Sequence, residues 1–164
     1  MNGMTETRAE LLGCGVRVFP HTADPAAGEE TYRRHLRRLL HTKPDDPGIL
    51  YPPPDLTDLR ELFAGQTVFI DTATTSSDDI SGDLIRLLPE IGRRHSIEDR
   101  AAFILLEGDI GLPQADDTAR ALGDVCSADV LPVAFYDSGF SDRVNVSLWW
   151  FERTSGGREE AAKK

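Results

Sequence analysis

Hydrophobic positions along this chain alternate between two periods. Three apolar runs end at an acid: Thr67-Val68-Phe69-Ile70 at Asp71, Ala101 to Leu106 at Glu107, and Val133-Ala134-Phe135-Tyr136 at Asp137. Runs without a polar face fit strands covered on both sides of a sheet. Residues 15–19 alternate and stop at Pro20, which predicts a further strand. In residues 143–151, Val144, Val146, Leu148 and Trp150 share one face, and Asn145, Ser147, Trp149 and Phe151 share the other.

Helical spacing fills the gaps. Over 29–41, Tyr32, Leu36, Leu39 and Leu40 fall on one side, with Arg34, Arg38 and His41 opposite. Leu56, Leu59, Leu62 and Phe63 form a stripe behind Asp55, a suitable N-cap. Ile80, Leu84, Leu87, Leu88 and Ile91 form a stronger stripe, interrupted at Pro89. Ala115, Ala119 and Leu122 follow Pro113 at the same period. Residues 45–54 read as a punctuated loop with an apolar centre, and residues 72–77 as a loop rich in hydroxyls.

Strands separated by helices predict a single-domain α/β sandwich. Its expected form is a mostly parallel five-stranded sheet with helices on both faces. The C-terminal strand is expected at an antiparallel edge, paired with its predecessor. The globular domain is placed at 13–154, between a flexible N-terminal arm at 1–12 and a disordered tail at 155–164.

Composition narrows the function more than the fold. A chain of 164 residues can bury a core without cross-links. Cys14 and Cys126 give neither a disulfide framework nor a metal spacing. Eighteen basic against 28 acidic residues leave a formal charge of -10, which repels nucleic acid. Residues 1–12 lack a signal-peptide core, and no long apolar run suits a membrane span, so a cytoplasmic protein is expected. Positive charge concentrates at Arg33, Arg34, Arg37, Arg38 and Lys43.

Parallel strands deliver their C-terminal ends to one side of a sheet, where open α/β proteins bind ligands. There Asp71, Glu107 and Asp137 could converge, with Asp109 just beyond. Oxygen-rich clusters suit Mg2+ or Mn2+. Complete dinucleotide, P-loop and nucleophile-elbow motifs are absent. The leading expectation is therefore a binding or regulatory domain without a cofactor. It would act through contacts to an unidentified protein or to itself as a homodimer, using Arg34 and Arg38, and Trp149 and Phe151 on an exposed edge strand. The alternative is a Mg2+- or Mn2+-dependent phosphohydrolase. Asp71, Glu107 and Asp137 would be catalytic, the same acids with Asp109 would hold the metal, and Thr72, Thr74 and Ser76 would hold a small phosphorylated ligand.

Overall fold

The computed structural model describes residues 14–21, 24–41, 45–53, 56–94, 100–126, 130–140 and 142–152. The arm at 1–12 and the tail at 155–164 lie outside the described residues. Along the chain run β1 (Gly15–Pro20), α1 (Pro25–His41), β2 (Ile49–Tyr51), α2 (Leu56–Phe63), β3 (Thr67–Ser76), α3 (Ile80–Arg94), β4 (Arg100–Gly108), α4 (Leu112–Cys126), β5 (Val130–Tyr136) and β6 (Arg143–Glu152). A single 3-10 turn, Ser138–Phe140, joins β5 to β6.

The sheet among the described residues is six-stranded and mixed, in the order β1-β3-β6-β4-β5-β2. This corrects the expected mostly parallel five-stranded sheet. Parallel pairs join β1 to β3 and β4 to β5. The last strand is not an edge, and it does not pair with its predecessor. It inserts between β3 and β4, antiparallel to both. Its two faces explain the placement. Val144, Val146, Leu148 and Trp150 are buried on one, and Ser147, Trp149 and Phe151 on the other. A strand apolar on both faces is stabilised in the middle of a covered sheet.

The antiparallel edge is instead β2, drawn from the segment expected to be a loop. Ile49 pairs with Phe135 and Tyr51 with Ala134, with an irregularity between them. The hydroxyl-rich segment after Ile70 is also a correction. It continues β3 as far as Ser76 rather than leaving the sheet.

Two cores flank the sheet. One gathers Leu84, Leu88 and Ile91 of α3 and Ala115, Ala119 and Leu122 of α4 against Ala73, Ile104, Leu106, Val146 and Trp150. The other gathers Tyr32, Leu36 and Leu39 of α1 and Leu59 and Phe63 of α2 against Val68, Ile70, Phe103, Leu105, Phe135 and Trp149. Trp149 stacks on Phe103 at 5.2 Å between ring centroids, and Phe63 meets Phe151 edge-on at 5.1 Å. Trp149 and Phe151 are thus core residues, 0% and 3% exposed, and offer no surface to a partner. Covering by α1 and α2 is the reason.

Gly28 sets the approach of α1 to the sheet. A Cβ there would lie 2.4 Å from Pro20 Cβ and 2.8 Å from Thr72 Oγ1. Gly28→Ala should therefore lower stability by about 1–3 kcal/mol through overpacking. Urea unfolding tests this. A midpoint that rises, as helix propensity alone would give, contradicts the close contact.

Candidate functional site

Alternation along the strands decides which acids meet. Glu107 lies two and four residues beyond Leu105 and Phe103, so it faces α1. Asp71 lies one residue beyond Ile70, so it faces the α3 side instead. Register separates them further: Asp71 pairs with Leu148 and Glu107 with Asn145 on the shared strand β6. Asp71 is buried against His21, whose Nε2 lies 2.7 Å from Asp71 Oδ1. Glu90 of α3 lies 3.8 Å from His21 Nδ1.

Glu107 is fully buried, and both of its oxygens are engaged. Arg34 donates from Nη2 to Oε2 at 2.6 Å and from Nε to Oε1 at 3.3 Å. Arg38 donates from Nε to Oε2 at 2.8 Å. His35 Nε2 lies 3.3 Å from Oε1. Helical spacing of four brings Arg34 and Arg38 to one side of α1, and both reach over the end of β4. Arg38 also stacks on Phe135, 4.5 Å from the ring centroid, and Arg34 on Phe140 at 5.4 Å.

Beneath the carboxylate, the polar chain continues. His35 Nδ1 lies 2.6 Å from Ser147 Oγ, and Trp149 Nε1 donates to the same oxygen at 2.8 Å. The partners assign the proton positions. Neutral His35 donates from Nε2 to Glu107, while Nδ1 accepts the Ser147 hydroxyl. Every member then has a partner, as a buried polar network requires.

These contacts move ionisation in defined directions. Burial raises the pKa of Glu107, but hydrogen bonds from His35, Arg34 and Arg38 outweigh it and hold the carboxyl well below its ordinary 4.5. Burial lowers the pKa of His35, and the neighbouring positive Arg38 and Arg34 add to this against the pull of Glu107. The hydrogen bond to Glu107 leads in raising that of Arg34. The group is therefore an ionised carboxylate, a neutral imidazole and two cations.

An open pocket of about 260 Å³ lies above this group, lined by Arg34, Arg37, Arg38, His41, Asp46 and Glu107. Glu107 forms its floor. Asp137, after β5, faces the same side, with Oδ2 3.9 Å from Arg38 Nη2. Its Oδ1 accepts the Gly139 amide at 2.9 Å. The Asp46 loop is fixed by Gly48, whose amide donates to Asp46 Oδ1 at 2.8 Å. The Gly48 carbonyl accepts the Tyr136 amide at 2.7 Å.

The structure thus brings together Glu107, Asp137, Arg34 and Arg38, and leaves Asp71 apart. Asp109 is exposed beyond β4. Among the described residues, no three His, Cys, Asp or Glu side chains group as a metal set. Of the expected phosphate holders, Thr72 is buried in β3 beside Gly28. Thr74 shares a row with Asn145 and Glu107, two strands from the carboxylate, and donates to Asn145 Oδ1 at 3.3 Å. Ser76 is exposed at the end of β3, where its Oγ accepts the Asp78 amide at 3.1 Å. Burial pushes the thiols of Cys14 and Cys126 up to about 11, so neither supplies a ready thiolate. His35 was not singled out by its sequence context. Its signal was a polar residue set into the buried stripe, three after Tyr32 and four before Leu39.

The class defined here is an α/β domain with a mixed sheet and an arginine-lined pocket at the C-terminal ends of β4 and β5. No protein-family model matches the chain, and no curated protein matches it. Two solved structures of FtsZ from M. jannaschii share its fold. A point mutant is 16% identical with a TM-score of 0.56, over 80% of this chain and 40% of that one. A form described as an empty dimer is 14% identical with a TM-score of 0.53, over 82% of this chain and 41% of that one. The chain thus spans about two fifths of the length of these FtsZ chains. At such identity the likeness is one of fold. No helix among the described residues is long and apolar enough to cross a membrane.

Acid should loosen the network. Glu107 and His35 both have depressed pKa values in the folded chain, so the folded state binds fewer protons than the unfolded one. Their contribution is full above the ordinary values and falls as pH drops below them. Urea unfolding should show stability declining below pH 6.5 through His35, and more steeply below 4.5 through Glu107. His35→Gln should flatten the decline between pH 6.5 and 5. An unchanged slope in that variant would contradict a buried neutral His35.

Proposed function

We propose that this chain is a binding domain whose ligand is a small phosphorylated compound, held in the arginine pocket. The observation that carries this reading is the pinned arginine pair. Arg34 and Arg38 are fixed by Glu107 and line the open pocket, where Arg38 Nη2 also lies 3.9 Å from Asp137 Oδ2. Prearranged guanidinium groups suit phosphate oxygens, which accept paired hydrogen bonds. Arg37 and His41 extend the lining toward solvent. The position at the C-terminal ends of co-directional strands is the usual ligand side of an open α/β sheet.

Metal-assisted hydrolysis draws less support. It needs free carboxylate oxygens at short range, whereas Glu107 has both oxygens engaged and Asp71 faces the opposite side. Binding without hydrolysis is therefore the reading we prefer. A protein partner is a second reading, because Arg33 outside the pocket and Arg37 in its lining continue the basic face of α1. Arg37 is 61% exposed and faces Glu30 only at 3.8 Å. An acidic side chain of a partner, or of a second copy, would use the same arginines.

Calorimetric titration with pyrophosphate tests the first reading. Charge-assisted hydrogen bonds contribute about 1.5–3 kcal/mol, so Arg38→Ala should weaken binding by roughly tenfold or more. Arg37→Ala should weaken it less and lower its salt dependence. Absence of binding, or binding indifferent to both substitutions, counts against the pocket. Sedimentation across a concentration series then tests the second reading. Self-association lost in Arg37→Ala, without pyrophosphate binding, would favour it.

A further inference from the structure

We infer that the buried chain Trp149–Ser147–His35–Glu107 couples the arginine pocket to the centre of the sheet, with His35 as the positioning residue. The inference rests on the pocket being an anion site. Three features carry it. First, the chain is continuous: Trp149 Nε1 to Ser147 Oγ at 2.8 Å, Ser147 Oγ to His35 Nδ1 at 2.6 Å, and His35 Nε2 to Glu107 Oε1 at 3.3 Å. Second, all four residues are fully buried. Third, it ends on the carboxylate that holds both arginines.

Each link has one direction. The indole can only donate, and the Arg34 and Arg38 groups can only donate. Donors therefore press on Glu107 from both ends. An anion in the pocket draws charge-assisted hydrogen bonding from Arg34 and Arg38 away from Glu107. The carboxylate then accepts more strongly from His35, and the imidazole accepts more strongly from Ser147. Hydrogen bonds in a chain polarise one another in this way. The response reaches the Trp149 indole without any movement of α1. Trp150 is the internal control. It belongs to the opposite core, on the far side of the sheet.

His35 is a positioning residue in this scheme, because it touches Glu107 and not the ligand. Gln at position 35 can place an amide donor where Nε2 stands, but it does not reproduce the acceptor at Nδ1. Ser147→Ala removes the middle link while leaving the pocket lining untouched.

The experiment is a pyrophosphate titration of the full chain, followed through the two indole N–H resonances by NMR. In the unsubstituted protein the Trp149 resonance should move with the pocket occupancy, and the Trp150 resonance should move much less. In Ser147→Ala and in His35→Gln, pyrophosphate should still bind, while the Trp149 response should fall by at least half. Equal movement of Trp149 in the unsubstituted chain and both variants would overturn the relay. So would a Trp149 resonance that stays still while calorimetry records binding. Failure of calorimetry to record any binding would instead remove the anion-site reading, and the relay with it. If one variant does not fold, the other decides the outcome.

Discussion

A buried carboxylate at the end of β4 constrains much of what surrounds it. An ion of this size removed from water costs several kcal/mol unless its lone pairs are met by good donors. Glu107 is met on both oxygens by Arg34, Arg38 and His35. All three come from α1, so the carboxylate also fixes how that helix crosses the sheet. Gly28 permits the close approach at one end of the helix, and the Glu107 contacts hold its centre. The pocket is then a by-product of this arrangement: two guanidinium groups held on Glu107 form part of its lining.

The central strand explains why the strand-end acids do not act together. With β6 inserted between β3 and β4, Asp71 and Glu107 are two strands apart in the sheet order. Opposite parity then sends them to opposite faces, one to His21 and the other to α1. Asp137 stays near Glu107, but it meets Arg38 there rather than a vacant coordination position. Similar ends on three apolar runs thus have three different electrostatic environments.

Local pattern carried the elements well and their arrangement poorly. Each strand read from apolar runs is present, and the stripes of α1, α3 and α4 pack against the sheet, as do Leu59 and Phe63 of α2. The Arg34–Arg38 spacing correctly placed two cations on one side of α1. What failed was strand order, because pairing partners are set by contacts far apart in the chain. Trp149 and Phe151 on the second face of the last strand already indicated burial on both sides, hence a central position. Residues 72–76 misled through their hydroxyls, although β-branched threonines favour strands. Ile49-Leu50-Tyr51 was too short to separate from a loop by period alone. His35 was legible only as a polar interruption in an apolar stripe, and its partners Ser147 and Glu107 lie 112 and 72 residues away.

Glu107 is the ionised hub of the site rather than a proton-exchanging acid, with Arg34, Arg38 and His35 on its two oxygens. The most direct measurement is the side-chain carboxyl carbon shift of Glu107, followed by NMR from pH 7 downward. The expected result is no titration of this group at its ordinary 4.5, with the ionised shift kept until the chain itself unfolds in acid. A titration midpoint at or above 4.5 in the folded protein would contradict it.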